Sequence, residues 1–179
     1  MIREFSVRPT PTNKNAKVFF IAALCLSLLT LILYFSVEKY KGIVGLFIIF
    51  FLTAAILVYT KYISAQYYYD ITFDSEGAPI FVVRQITGKR QTTLCRIDLY
   101  AIRSVTHLLA EERKKHKAPE GAARYVYTPT LFPDRVCVVY VKSSYEHAEL
   151  VIECSEEFSS LLLSYAEQAR QMRIEIDEE

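Results

Sequence analysis

Two uninterrupted apolar runs, Val18 to Val37 and Gly42 to Tyr59, dominate the hydrophobic pattern, and only Glu38-Lys39-Tyr40-Lys41 separates them. A run of about 18 to 20 residues at 1.5 Å rise per residue matches a hydrocarbon core of roughly 30 Å. Within lipid, only a helix satisfies every backbone group of such a segment. The pattern therefore predicts a transmembrane helical hairpin over residues 18–64, with spans near 18–37 and 42–60, preceded by an N-terminal segment at 1–17. From Tyr67 the period changes to near alternation, as in Tyr67-Tyr68-Tyr69-Asp70-Ile71-Thr72-Phe73-Asp74, rich in aromatic and β-branched residues.

That alternation predicts a strand, turned by Ser75-Glu76-Gly77-Ala78-Pro79 into a second at Ile80 to Thr87. Gly88-Lys89 leads to a third strand at Arg90 to Ile97, and a fourth runs through Ile102 to Leu109. Ala110 to Ala123 is charged and broken by Ala118-Pro119-Glu120-Gly121, so a long, mobile loop is expected there. Further strands are expected at Arg124 to Tyr127, Arg135 to Lys142 and Ala148 to Cys154, about seven in all. Ser155 can cap a final helix with Glu156 and Glu157 in its first turn. Its apolar stripe is Phe158, Leu161, Leu162, Tyr165, Ala169 and Met172, and a solvated acidic tail is expected at 174–179.

Strands at Ile80 to Thr87, Arg90 to Ile97 and Ala148 to Cys154, with Ser155-Glu156-Glu157-Phe158 opening a last helix, resemble the layout of a pleckstrin-homology (PH)-like domain. With the hairpin in front, the chain resembles small bacterial PH-like membrane proteins. The resemblance spans Tyr67 to about Met172 and is one of layout, without a diagnostic motif. It implies an α+β chain: the transmembrane hairpin, then at 67–173 an antiparallel PH-like barrel or sandwich closed by a capping helix. PH domains that bind phosphoinositides usually present cations from the first hairpin loop. Here that loop, Asp74-Ser75-Glu76-Gly77-Ala78-Pro79, is acidic.

Composition adds little to the functional picture but excludes several classes. The 52% hydrophobic content comes largely from the two spans, and a formal charge of +1 provides no basic field for nucleic acid. Arg3, Arg8, Lys14, Lys17 and Lys61 outnumber Lys39 and Lys41, so positive-inside counting puts both termini and the folded domain in the cytoplasm. The first run is too long for a signal-peptide core and no A-x-A site follows it, so the expectation is that it is retained. Cys25, Cys95, Cys137 and Cys154 lack metal-site spacing; free thiols are expected, with a disulfide among the last three as the alternative. Small residues Ala23, Ser27, Ala54 and Ala55 suit close helix packing.

Candidate chemistry is sparse. His107, His116 and His147 have no neighbours at metal-ligand spacing, and no G-x-S-x-G, phosphate-cradling Gly-rich loop or H-E-x-x-H occurs. No acidic or basic residue interrupts the spans, which argues against an ion relay within this chain. No cofactor, metal or small-molecule substrate is expected. The one basic cluster is Arg113, Lys114, Lys115 and Lys117, a possible contact for lipid or partner, each charge worth about 1 kcal/mol beside an anionic leaflet. The leading expectation is a membrane-anchored, non-catalytic scaffold or regulatory module that binds a protein partner or itself. An anionic-lipid sensor using the basic loop is the alternative, and a membrane-bound enzyme is third.

Overall fold

The structure, a computed structural model, describes residues 2–143 and 147–177. The chain divides into two compact units: residues 11–65 with 130–132, and residues 1–10, 66–129 and 133–179. The first unit is the hairpin, α1 (Lys14–Ser36) and α2 (Lys41–Val58), the latter continued by a π-helical turn at Tyr59–Ile63. Both helices are long and apolar enough to cross a membrane. Their outward surfaces are apolar, with Phe35 75% and Leu46 68% exposed, a surface that lipid solvates and water does not. Ala23 and Ala55 are buried where the helices pack, and the rings of Phe20 and Tyr59 meet at 5.6 Å. Thr30, Ser36 and Thr60 return their hydroxyls to helix carbonyls, so no hydroxyl of these three needs a solvent partner.

The second unit holds eight strands among the described residues, in two four-stranded sheets. One sheet has the order β1 (Phe5–Val7), β2 (Ala65–Phe73), β3 (Pro79–Thr87), β4 (Arg90–Asp98). β1 was not signalled by the pattern, because three residues between Arg3 and Arg8 are too few to show a period. It pairs antiparallel with β2, Ser6 opposite Asp70. The β2–β3 turn is built by Asp74, whose carboxylate accepts from the Glu76 and Ala78 amides at 2.9 and 2.8 Å, while Gly77 takes φ +83°. Arg96 lies 3.6 Å from the same carboxylate, so the acidic character of this loop serves the turn itself.

The other sheet has the order β5 (Ile102–Leu109), β7 (Arg135–Lys142), β8 (His147–Ile152), β6 (Ala123–Tyr127). β6 runs parallel to β8, Arg124 beside Glu149. Of the expected antiparallel barrel or sandwich, the two antiparallel-rich sheets are present; the sheets are not joined into a closed barrel, and one pair is parallel. The cause is the connection from β5, which passes β7 and β8 to reach the far edge of the sheet, as a parallel strand requires. The long loop expected at Ala110 to Ala123 also needs correction, since it begins with a helix, α3 (Ala110–Lys115). Glu112 accepts from the Leu109 amide at 2.9 Å, and Ala110 donates to the Asp134 carbonyl at 2.9 Å. Acidic Glu111 and Glu112 in the first turn and basic residues in the last complement the helix dipole.

The chain ends in α4 (Glu156–Asp177), capped by Ser155, whose hydroxyl accepts from the Phe158 amide at 3.2 Å. The helix includes residues 174–177 of the expected tail; 178 and 179 lie outside the described residues. Phe158, Leu162 and Ala169 face the core with Ala166 and Ser159, whereas Met172 is exposed, so the stripe ends before it. Phe158 lies against Phe5, Tyr69 and Phe81, at centroid distances of 6.0, 6.4 and 6.4 Å. Tyr69 is fully buried; its hydroxyl donates to the Tyr127 carbonyl at 2.8 Å and accepts from the Glu153 amide at 3.2 Å. Burial holds this phenol well above its usual range, in its neutral form. Tyr69→Phe leaves both backbone groups without this partner and is expected to cost about 1–3 kcal/mol in urea denaturation.

Candidate functional site

The two sheets leave edges at β4 and β6, and these edges flank a cleft of about 580 Å3. Leu94 to Asp98 of β4 form one wall; Tyr125 and Tyr127 of β6, with Ala148 and Leu150 of β8, form the other. Alternation along β6 puts Tyr125 and Tyr127 on one face, stacked with rings 6.3 Å apart and 3° from parallel. Tyr127 donates its hydroxyl to the Leu94 carbonyl at 3.4 Å, a long bond that links the two edges. Tyr125 and Val126 remain 46% and 43% exposed at this edge. Burial raises the Cys95 thiol to about 11, so it stays protonated at neutral pH and the wall carries no thiolate. The arrangement offers unpaired main-chain groups beside an aromatic floor, the geometry that accepts an added strand.

The predicted basic cluster lies at the end of α3 and just beyond it. Arg113 is half-buried; Lys114, Lys115 and Lys117 are exposed. Between them, His116 turns inward and its Nε2 meets Glu149 Oε1 at 2.9 Å. Glu149 is 2% exposed and its second carboxylate oxygen is buried without a hydrogen-bond partner among the described residues. The connection from β5 to β6 thus covers the sheet face that holds Val136, Val138 and Val151, a buried cluster extended by Leu108. Sequence reasoning classed His116 with surface and packing histidines; its ion-pair geometry with a residue 33 positions away had no local signal.

His107 and His147 are likewise engaged. His107 Nε2 contacts the Ser159 hydroxyl and its Nδ1 lies 3.3 Å from the Cys137 sulfur; His147 Nδ1 is 2.9 Å from the Tyr140 hydroxyl. Cys154 donates to Cys137 across 2.6 Å, and all four cysteines are free thiols. That hydrogen bond, with burial, raises the Cys154 thiol and makes it a poor nucleophile at neutral pH. Among the described residues no group of three or more His, Cys, Asp or Glu could hold a metal ion. Asp70, buried in the first sheet, accepts from the Ser6 hydroxyl and from Arg84 Nε, which raises the Arg84 pKa and fastens β1, β2 and β3 together. No protein-family model, no curated protein and no solved structure matches this chain.

Proposed function

We propose that this chain is a membrane-anchored, non-catalytic interaction module. The α1–α2 hairpin spans the bilayer, both termini are cytoplasmic, and the β-rich domain binds a protein partner or a second copy at the membrane face. The observation that carries this reading is the pair of unpaired edges, β4 and β6, on either side of the Tyr125–Tyr127 cleft. An extended segment entering there gains main-chain hydrogen bonds from the edges and apolar contact from the tyrosines. Membrane tethering raises the effective concentration of any partner in the same bilayer. A strand-rich domain ending in a packed amphipathic helix supports a PH-like ancestry for it, and the parallel β6–β8 pair departs from that layout.

A photo-crosslinker placed at Thr92 of β4 or Val126 of β6, in the full chain in native membranes, tests the reading. Both positions should yield the same crosslinked product, and Tyr125→Glu should abolish it. Exposure of Lys114, Lys115 and Lys117 favours anionic-lipid binding as a second reading. In that case binding to anionic vesicles should fall as salt rises and vanish when the three lysines become alanine, with Tyr125→Glu having no effect.

A further inference from the structure

Away from the predicted cluster, a second concentration of positive charge lines a recess of about 400 Å3. Its walls carry Arg103, Lys142, Arg170 and Arg173, with Tyr100 and Ser143, and its described lining includes no acidic residue. The sequence hides this grouping, because the four cations come from β5, the end of β7 and the C-terminal half of α4. Each is placed by a separate device. Ile102 pairs with Val141 and Ser104 with Tyr140, so Arg103 is the extra residue of a β-bulge, which re-aims its side chain. The Arg173 guanidinium lies 4.0 Å from the centroid of the Tyr100 ring. Arg170 is steered by its Nε donating to the Ala166 carbonyl at 3.3 Å. Arg103, Lys142 and Arg170 form no ion pair among the described residues.

Holding like charges around one recess costs repulsion that a bound counter-ion removes. A carboxylate would offset one of the three charges on Arg103, Lys142 and Arg170. A phosphate group offers two charges and three oxygens, and guanidinium forks match those oxygens in pairs. We propose that this recess binds a doubly charged phosphate group, as found in a phosphomonoester lipid headgroup or a soluble phosphate. Arg103 and Arg170 supply planar donors, Lys142 supplies a point charge, and the Ser143 hydroxyl adds a neutral donor, with Arg173 stacked on Tyr100 at the rim. The site is distinct from the strand-edge cleft, sharing with it only Ser143 among the lining residues.

Calorimetric titration of the full chain in neutral detergent, at about 0.15 M salt where long-range attraction is screened, tests this. One arm uses pyrophosphate, the other short-chain phosphatidic acid against short-chain phosphatidylcholine. Binding of pyrophosphate alone identifies a soluble phosphate as the source; tighter binding of phosphatidic acid identifies a lipid headgroup; either supports the site. Arg103→Gln with Lys142→Gln, both exposed positions, should weaken binding by about tenfold or more, as expected for loss of charge-assisted contacts. Lys89→Gln with Arg90→Gln, at the exposed β3–β4 turn, removes equal charge elsewhere and should leave binding within about twofold. Absence of binding in both arms, or equal weakening by the two double variants, overturns the proposal. The crosslinking result at Thr92 and Val126 is independent of all these outcomes.

Discussion

Phe158→Ala is expected to lower the stability of the β-rich domain by about 3–5 kcal/mol, the range for truncating a buried phenylalanine. Phe158 is 2% exposed and touches rings from three strands, Phe5 of β1, Tyr69 of β2 and Phe81 of β3. It is the side chain by which α4 holds the first sheet. Truncation forfeits its transfer from water and leaves a cavity between elements that Leu162 and Ala166 keep from collapsing. Small domains have only about 5–15 kcal/mol in total, so the variant should sit near its unfolding threshold at ambient temperature. Urea denaturation of the full chain in micelles, read by near-ultraviolet tyrosine dichroism, measures the loss. A decrease below about 1 kcal/mol would mean that α4 is not docked on these rings.

His116→Ala is expected to be the next most damaging substitution, at about 2–4 kcal/mol, because it strips the partner from a buried acid. Glu149 already has one oxygen without a hydrogen bond; loss of His116 would leave both in that condition. The cost should be local as well as global. Amides of Val136, Val138 and Val151, beneath the β5–β6 connection, should exchange faster with solvent than those of β2 and β3. His116→Leu combined with Glu149→Leu should recover most of the loss, since apolar replacement of a buried pair is often neutral or better. If His116→Ala alone leaves stability unchanged, the pair does not hold the connection in place.

How much of this architecture the sequence announces follows the range of the interactions concerned. The hairpin was legible because each helix is one uninterrupted apolar run, long and apolar enough to cross a membrane, and such a run as Val18 to Val37 is read without reference to any partner. The strands from Ile80 to Leu109 were legible through alternation and the Gly88 turn, and Ser155 through its capping position. β1 and the parallel placement of β6 were not, since both are fixed by partners 60 or so positions away or by a crossover, which leave no periodic trace. α3 did carry a signal, acidic residues before basic ones, but the density of charge and Pro119 favoured a loop. Of the candidate surfaces, the Arg113–Lys117 cluster was contiguous and visible. The β4–β6 cleft and the four-cation recess are assembled by tertiary structure and were not.

The pairing of β1 with β2 bears on how the chain acquires its fold. Ser6 and Asp70 are 64 positions apart, with the entire hairpin between them. An unstructured loop of that length would oppose the pairing by several kcal/mol of closure entropy. Formation of the hairpin shortens the effective loop to a few flanking residues, so pairing of α1 with α2 should precede completion of the first sheet. A fragment beginning at Ala65 would keep every residue of β2, β3 and β4 yet lose the strand that shields β2. It would expose the Asp70 edge and tend to associate through it. Recombinant work on the domain should therefore supply residues 2–10 in cis or as a peptide.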